Sequence, residues 1–208
     1  MYWEWLNWRP CQFREGNSGV YVNDLVKVIG TLFVSILTVI ATAMVIITII
    51  SPKGADGASQ IFGYEIRVVE TNSMEECDAT DVSGYEIGSL KKDTMIAITL
   101  VPERAYEAAN WYAGLKVGDV LTVRYTYNTQ LTITHRITAI TEKEDGSGYI
   151  IELQGDNVAS DASQLTQVID TSDTESGNYV IGKVIWQSYA IGRGVSALQR
   201  ASKAVFSN

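Results

Sequence analysis

The sequence predicts a mainly β domain that follows a single N-terminal transmembrane helix. Two observations predict it: residues 28–50 form an apolar run without a charged side chain, and the chain beyond them contains short segments rich in Val, Ile, Thr and Tyr, separated by turn residues. We therefore expect four parts: an N-terminal segment at 1–27, the membrane helix at 28–50, a β-rich domain at 51–190 and an amphipathic tail at 191–208.

The apolar run reads VIGTLFVSILTVIATAMVIITII, from Val28 to Ile50. As a helix rising about 1.5 Å per residue it would be about 34 Å long, which exceeds the hydrocarbon core of about 30 Å. A cleaved secretory signal is the alternative, but its apolar part is usually about 7–15 residues long and follows a short basic start. This run is longer and begins only after residue 27, which favours a retained membrane anchor.

The basic residues near the predicted helix favour one orientation. Arg9, Arg14 and Lys27 precede the helix, whereas Lys53 and Arg67 follow it. Because cytoplasmic flanks carry the excess of Lys and Arg, this bias predicts a cytoplasmic N-terminus. The β-rich domain would then lie outside the cytoplasm.

Composition argues against several classes of partner. The net charge is −8 and no basic cluster occurs, so nucleic acid is not an expected partner. The GxGxxG and GxxxxGK phosphate-binding motifs are absent. The two cysteines, Cys11 and Cys77, lie on opposite sides of the predicted helix, which excludes an intrachain disulfide and a cysteine-based zinc site. We expect no metal and no other cofactor.

Residues 61–154 are predicted to form five strands separated by turns and one short helical or turn segment. Residues 142–148, EKEDGSG, have the Asp-Gly chemistry of a hairpin loop, and residues 103–111 interrupt the β pattern with a short helix or turn. The β-patterned runs are residues 61–70, 93–101, 119–128, 130–142 and 148–154.

The C-terminal segment has an amphipathic helical pattern. Its apolar residues recur at helical spacing, and basic residues occupy other positions. The pattern suits a helix on an anionic membrane surface, a helix packed on the domain, or a frayed end. The apolar positions are Val195, Leu198, Val205 and Phe206, and the basic ones are Arg193, Arg200 and Lys203.

The chain contains one histidine, His135, within the strand-like run TITHRITAI. In an extended strand Ile133, His135 and Ile137 point to the same face, so the ring lies among aliphatic side chains. Two interpretations follow. The imidazole is either a core histidine bonded to a carbonyl group, or a general base, since its unperturbed pKa lies near neutrality.

Two carboxylates follow the fifth β-patterned run. Asp156 and Asp161 lie in LQGDNVASDA, where an acidic side chain could reach a histidine on the neighbouring hairpin strand. Such a carboxylate would hold the imidazole in one tautomer and stabilise its cation. The alternative is a plain turn, because Gly, Asp and Asn are common turn residues.

These features occur in a recognisable order along the chain. The series resembles type I signal peptidases, in the serine–histidine branch found in archaea, the endoplasmic reticulum and some Gram-positive bacteria, over roughly residues 28–190. It consists of the membrane helix, Ser73-Met74, KVGDVLTVRY at 116–125, THRI at 134–137, GDNVASD at 155–161 and IGKVIW at 181–186.

The resemblance implies a membrane-bound serine endopeptidase that removes signal peptides from exported preproteins, with the lipid bilayer and those preproteins as partners. Ser73 would be the nucleophile, and His135 would stand where the other bacterial branch has a lysine base. Asp161 is favoured over Asp156 as the partner of His135. The backbone N–H of Ser73 and the hydroxyl of Thr71 would stabilise the oxyanion.

Two departures from the family pattern leave other readings open. Glu76 stands where the family usually has proline, and residues 77–90 form a longer loop. Loss of the proline would loosen the backbone beside Ser73. A non-catalytic binding or assembly subunit that keeps the fold is one alternative. Another is a self-cleaving or regulatory serine protease, but those use a lysine base, and THRI contradicts that.

Overall fold

The computed structural model describes residues 18–53, 60–78, 80–126, 130–158, 166–173 and 175–206. The chain divides into two compact units, Met1–Ile50 and Ser51–Asn208. The first contains the apolar helix, and the second contains the β-rich domain.

Helix α1 spans Ser18–Ile50 and begins ten residues before the predicted start at residue 28. Its stretch Leu25–Ile47 has a mean hydropathy of 2.4 and is not buried by the rest of the protein. Hydroxyl groups in this stretch donate to carbonyl groups one turn earlier, as from Thr38 to Val34 O at 2.9 Å, which satisfies them inside an apolar helix. The helix is long and apolar enough to cross a membrane.

The second unit is built on one eight-stranded sheet in which every pairing of neighbouring strands is antiparallel. The strand order is β1-β2-β3-β8-β4-β5-β6-β7. The elements are β1 Gln60–Ile61, β2 Tyr64–Val68, β3 Met95–Leu100, α2 Ala105–Ala113, β4 Val120–Thr126, β5 Gln130–Glu142, β6 Tyr149–Gln154, β7 Gln167–Asp170, β8 Tyr179–Ser188 and α3 Tyr189–Phe206.

The mainly β prediction is confirmed, and each of the five predicted runs contains a strand. The first run contains most of the hairpin of β1 and β2. Its turn residues, Phe62 and Gly63, adopt positive φ angles of 52° and 80°. The predicted hairpin loop at 142–148 is also confirmed. Lys143 N–H donates to Gly148 O at 2.9 Å, and Gly146 has a φ of 67°.

Two strands were not predicted as strands. β7 has only four residues, which is too short for a periodic pattern to be visible. β8 lies between β3 and β4 in the middle of the sheet, and its polar and small residues interrupt the alternation expected of a strand. The residues at 103–111, left open between helix and turn, fall in the region of helix α2.

Buried apolar side chains form two clusters. One surrounds Met74 and Leu90, and the other surrounds Leu121, Ile137 and Leu153. Met74 is fully buried, whereas Ser73 beside it is only half-buried. The first cluster therefore anchors the candidate nucleophile loop to the sheet.

The second compact unit extends over Ser51–Asn208 and so includes both the predicted domain at 51–190 and the predicted tail at 191–208. Helix α3 follows β8 without a linker. Gly192 lies so close to the backbone of Asp93 and Met95 that any side chain there would collide with it. The helix is therefore packed on the domain.

Candidate active site

Ser73 lies in an irregular turn that follows β2. Leu90 N–H donates to Met74 O at 2.8 Å, which forms an isolated bridge between the two residues. Lys92 N–H donates to Asn72 Oδ1 at 3.0 Å. The turn is thus held by the chain that leads into β3.

The GDN turn holds the same loop from the other side. Asn157 N–H donates to Ser73 O at 3.0 Å, and the Asn157 side-chain amide donates to Asn72 O at 3.2 Å. Residues more than eighty positions apart in sequence are joined here. The segment at 155–157 therefore contacts the Ser73-Met74 loop directly, which the sequence did not predict.

The hydroxyl groups of Thr71 and Ser73 lie next to each other. Their oxygens are 3.1 Å apart and share one hydrogen bond. Both residues line a cavity of about 670 Å³. The Thr71 hydroxyl therefore lies beside the hydroxyl of the candidate nucleophile.

His135 lies in β5, opposite Leu121 of β4, and is only 7% exposed. Its Nδ1 atom is 2.6 Å from Gln167 Oε1 on β7. Because an amide oxygen only accepts hydrogen bonds, Nδ1 carries the ring proton and Nε2 carries the lone pair. This tautomer is the one that a general base requires.

The environment of His135 keeps the ring neutral. Burial disfavours the imidazolium and lowers its pKa below 6.5, while the hydrogen bond to Gln167 and the more distant carboxylate of Asp156 partly oppose that effect. The pKa stays below the ordinary value. At pH 7 the unprotonated form therefore predominates.

Ser73 and His135 line the same cavity, together with Thr71. Among the hydrogen bonds of the described residues, none joins Ser73 to His135 directly; the Ser73 hydroxyl is paired with Thr71 instead. Hydrogen bonds between catalytic groups are often long before a substrate is bound. The two predicted groups are thus brought to one cavity.

Asp156, one of the two predicted acidic partners of His135, forms hydrogen bonds with Arg136. Its Oδ1 accepts from Arg136 Nε at 2.9 Å and its Oδ2 accepts from Arg136 Nη2 at 2.7 Å. A bidentate pair with a guanidinium occupies both carboxylate oxygens. Asp161, the favoured partner, lies outside the described residues.

Arg136 ties three segments together. Its Nη1 atom donates to Ile87 O at 2.9 Å and to Gly118 O at 2.8 Å, and its guanidinium lies 4.6 Å from the centre of the Tyr85 ring. Sequence reasoning did not assign this residue a role. Alternation in β5 places Arg136 on the face opposite Ile133, His135 and Ile137, so the local pattern predicts an exposed side chain and gives no signal of its burial.

Gln167 was also missed. Here the sequence offers no clue, because a glutamine three residues before an Asp in a short strand matches no catalytic motif. Its position follows from the register of β6 and β7, where Leu153 pairs with Gln167. Only the folded sheet brings it to His135.

Glu76, which stands where the signal peptidases that the sequence resembles usually have proline, makes two hydrogen bonds. Its N–H donates to Ser89 Oγ at 2.9 Å, and its Oε1 atom accepts from Val82 N–H at 3.3 Å. A proline has no N–H and could not make the first bond. The expected loosening of the backbone is therefore opposed by bonds that fasten the loop at 77–90.

No protein-family model matches this chain, and a search of curated proteins finds no match either. Within the described part of the chain, no group of three or more His, Cys, Asp or Glu side chains is arranged to hold a metal ion.

Proposed function

We propose that this protein is a membrane-anchored serine endopeptidase that removes signal peptides from exported preproteins. The observation that supports it best is that Ser73 and a neutral His135 line one cavity, with Gln167 fixing the histidine tautomer. The sequence resemblance supplies the substrate class. The apolar helix α1 suits an enzyme that meets its substrate at a membrane.

The chemistry would proceed in two acyl-transfer steps. The Ser73 oxygen attacks the carbonyl carbon of the peptide bond while His135 Nε2 takes the hydroxyl proton. The imidazolium then gives that proton to the leaving amine, and an acyl-serine forms. Water attacks the ester with His135 again as base, and Ser73 recovers its proton as the signal peptide leaves with a free carboxylate.

Charge on the carbonyl oxygen would be stabilised by nearby donors. The Ser73 N–H and the Thr71 hydroxyl are our candidates, and the 3.1 Å separation of the two hydroxyl oxygens supports the second. Such donors act most strongly at the tetrahedral stage, when the negative charge is largest.

The edges of two strands line the same cavity. Residues 131–135 of β5 pair with β4, and pairing with β6 begins at Arg136. On the other side of the cavity, β2 pairs with β3 as far as Val68 but with β1 only near Tyr64. An extended substrate would add as a strand here and be held through its backbone.

The cavity wall would favour small apolar substrate residues before the cut. Its apolar side chains include Val69, Ile96 and Ile133; the cavity is also lined by Arg67, Glu70 and Arg124 and by the hydroxyls of Thr71 and Ser73. The apolar part of the wall would accept alanine-sized side chains without demanding a particular sequence. The excess of basic residues before the helix favours a location of this domain outside the cytoplasm.

The direct test is cleavage of a preprotein by the full chain in membranes. The substrate should carry a signal peptide that ends in Ala-x-Ala, and a known signal peptidase serves as positive control. We expect the wild type to cut it and Ser73→Ala to lose at least about 10³-fold in rate. Ser147→Ala, in the exposed β5–β6 turn, is the matched serine control and should cut normally.

If the wild type leaves the preprotein uncut while the positive control cuts it, the endopeptidase proposal fails. The non-catalytic binding subunit would then be the better reading. If Ser73→Ala cuts as well as Ser147→Ala, the nucleophile is another residue.

A further inference from the structure

Helix α3 uses only part of its circumference to pack on the domain. Gly192 approaches the backbone at Asp93, Ser196 is 6% exposed, and Arg200 Nη2 donates to Asp93 Oδ2 at 3.1 Å. These residues recur at intervals of four along the helix and so share one side. The contact fixes the rotation of α3 about its axis.

Another side of α3 presents apolar residues to solvent. Ile191 is 51% exposed and Leu198 is 73% exposed. They are two turns apart and lie about 100–120° around the helix from Gly192 and about 140–160° from Ser196, since each residue advances about 100°. Val195 lies between them and is half-buried. Packing on the domain therefore does not explain the apolar side.

The charge of α3 differs from that of the rest of the chain. The helix contains Arg193, Arg200 and Lys203 and no Asp or Glu, whereas the whole protein has a net charge of −8. Arg200 is paired with Asp93, so Arg193 and Lys203 are the residues whose attraction to an anionic surface is at issue. A helix with its side chains is about 10–12 Å wide, somewhat more than the Debye length of about 8 Å at physiological ionic strength, so salt partly screens that attraction.

We propose that α3 docks on an anionic lipid surface, with Ile191 and Leu198 entering the headgroup layer. Apolar residues on one side and basic residues elsewhere on the same helix are the features of interfacial helices. Helix α1 is long and apolar enough to anchor this chain in a bilayer, and covalent attachment gives α3 a high effective concentration at that surface. An intrinsically weak contact between α3 and the lipid surface is then sufficient to hold the helix there.

The test uses the full chain in lipid nanodiscs, with a fluorescent NBD label on a single cysteine at residue 198. Leu198→Cys is made in a Cys11→Ser, Cys77→Ser background, and Ser147→Cys in the same background is the control. Discs contain phosphatidylcholine with phosphatidylglycerol, or phosphatidylcholine alone, and include lipids with nitroxide headgroups as quenchers. Circular dichroism checks that each labelled protein keeps its β structure.

With phosphatidylglycerol we expect loss of NBD emission at residue 198 and none at residue 147. The loss should shrink in phosphatidylcholine alone, at high salt, and in an Arg193→Glu, Lys203→Glu variant. Equal quenching at the two positions would overturn the proposal, and so would quenching that is independent of anionic lipid. Protection of the NBD label at residue 198 from solvent would also overturn it if that protection persists in detergent and rises with protein concentration. A second copy of the chain would then cover this side of α3. No turnover is measured, so failure of the peptidase proposal would leave this result unaffected.

Discussion

The two halves of the candidate site are built in different ways. Ser73 lies in an irregular loop held by hydrogen bonds from Leu90 and Asn157, whereas His135 lies in the long strand β5 and is positioned by the ladder with β4. The loop is specified by a few individual bonds, and the strand is specified by register and burial. Substitutions around the loop should therefore alter activity, while substitutions in the strand should first alter stability.

The largest effect on stability is expected where the strand meets the GDN turn. Asp156→Asn leaves the Arg136 guanidinium buried without its carboxylate, and removal of one partner of a buried pair costs about 3–5 kcal/mol. Chemical denaturation of the full chain in detergent measures this loss. Glu107→Gln, which breaks an exposed pair with Arg104, is the control and should change stability by less than about 1 kcal/mol. Equal losses in the two variants would contradict the structural role of Asp156.

The loop half of the comparison is tested at Thr71. Thr71→Val keeps the shape of the side chain and removes the hydroxyl that lies 3.1 Å from the Ser73 hydroxyl. If that hydroxyl stabilises the oxyanion, kcat should fall by about 10²-fold with little change in KM or stability. Thr71→Ser retains the hydroxyl and should recover most of the rate. Equal activity of the two variants would show that the Thr71 hydroxyl does not stabilise the oxyanion.

The sequence predicted more of the scaffold than of the contacts within the site. The apolar run and the β patterns predicted the helix and most strands, because burial imposes a period on them. The partner of Asp156 and the position of Gln167 depend on pairing between segments remote in sequence, and no local pattern encodes that. Glu76 illustrates the same limit, because its two bonds involve a loop of no regular structure.

A smaller effect on the rate is expected from substitution of Gln167, the hydrogen-bond partner of His135. Burial lowers the pKa of His135, so the acid limb of kcat/KM for the wild type should lie below pH 6.5. Because the folded-state pKa is depressed, the stability that the neutral ring contributes is present above pH 6.5 and is lost as pH falls toward the folded-state pKa.

Variants of Gln167 should move that limb in opposite directions. Gln167→Leu removes a hydrogen bond that raises the pKa, so the limb should move lower and the rate should fall about tenfold. Gln167→Glu still accepts from Nδ1 and adds a negative charge, so the limb should move higher. Profiles of both variants that superimpose on the wild type would show that Gln167 does not orient the base.

The smallest effect is expected at Glu76. Glu76→Ala removes the bond from Val82 N–H to the carboxylate but keeps the bond to Ser89, and should cost less than about 1 kcal/mol. Glu76→Pro removes both bonds. Hydrogen exchange at residues 80–90 should rise slightly in the first variant and more in the second. Unchanged exchange in Glu76→Pro would show that these bonds do not fasten the loop.

The most direct test of the central claim is a mutant cycle on the catalytic pair. Preprotein cleavage is measured for the wild type, Ser73→Ala, His135→Ala and the double variant, each as full chain in membranes. If the two side chains act as one unit, each single variant should lose at least about 10³-fold in kcat and the double variant should lose no more. Full activity of His135→Ala, or single losses that multiply in the double variant, would contradict the account.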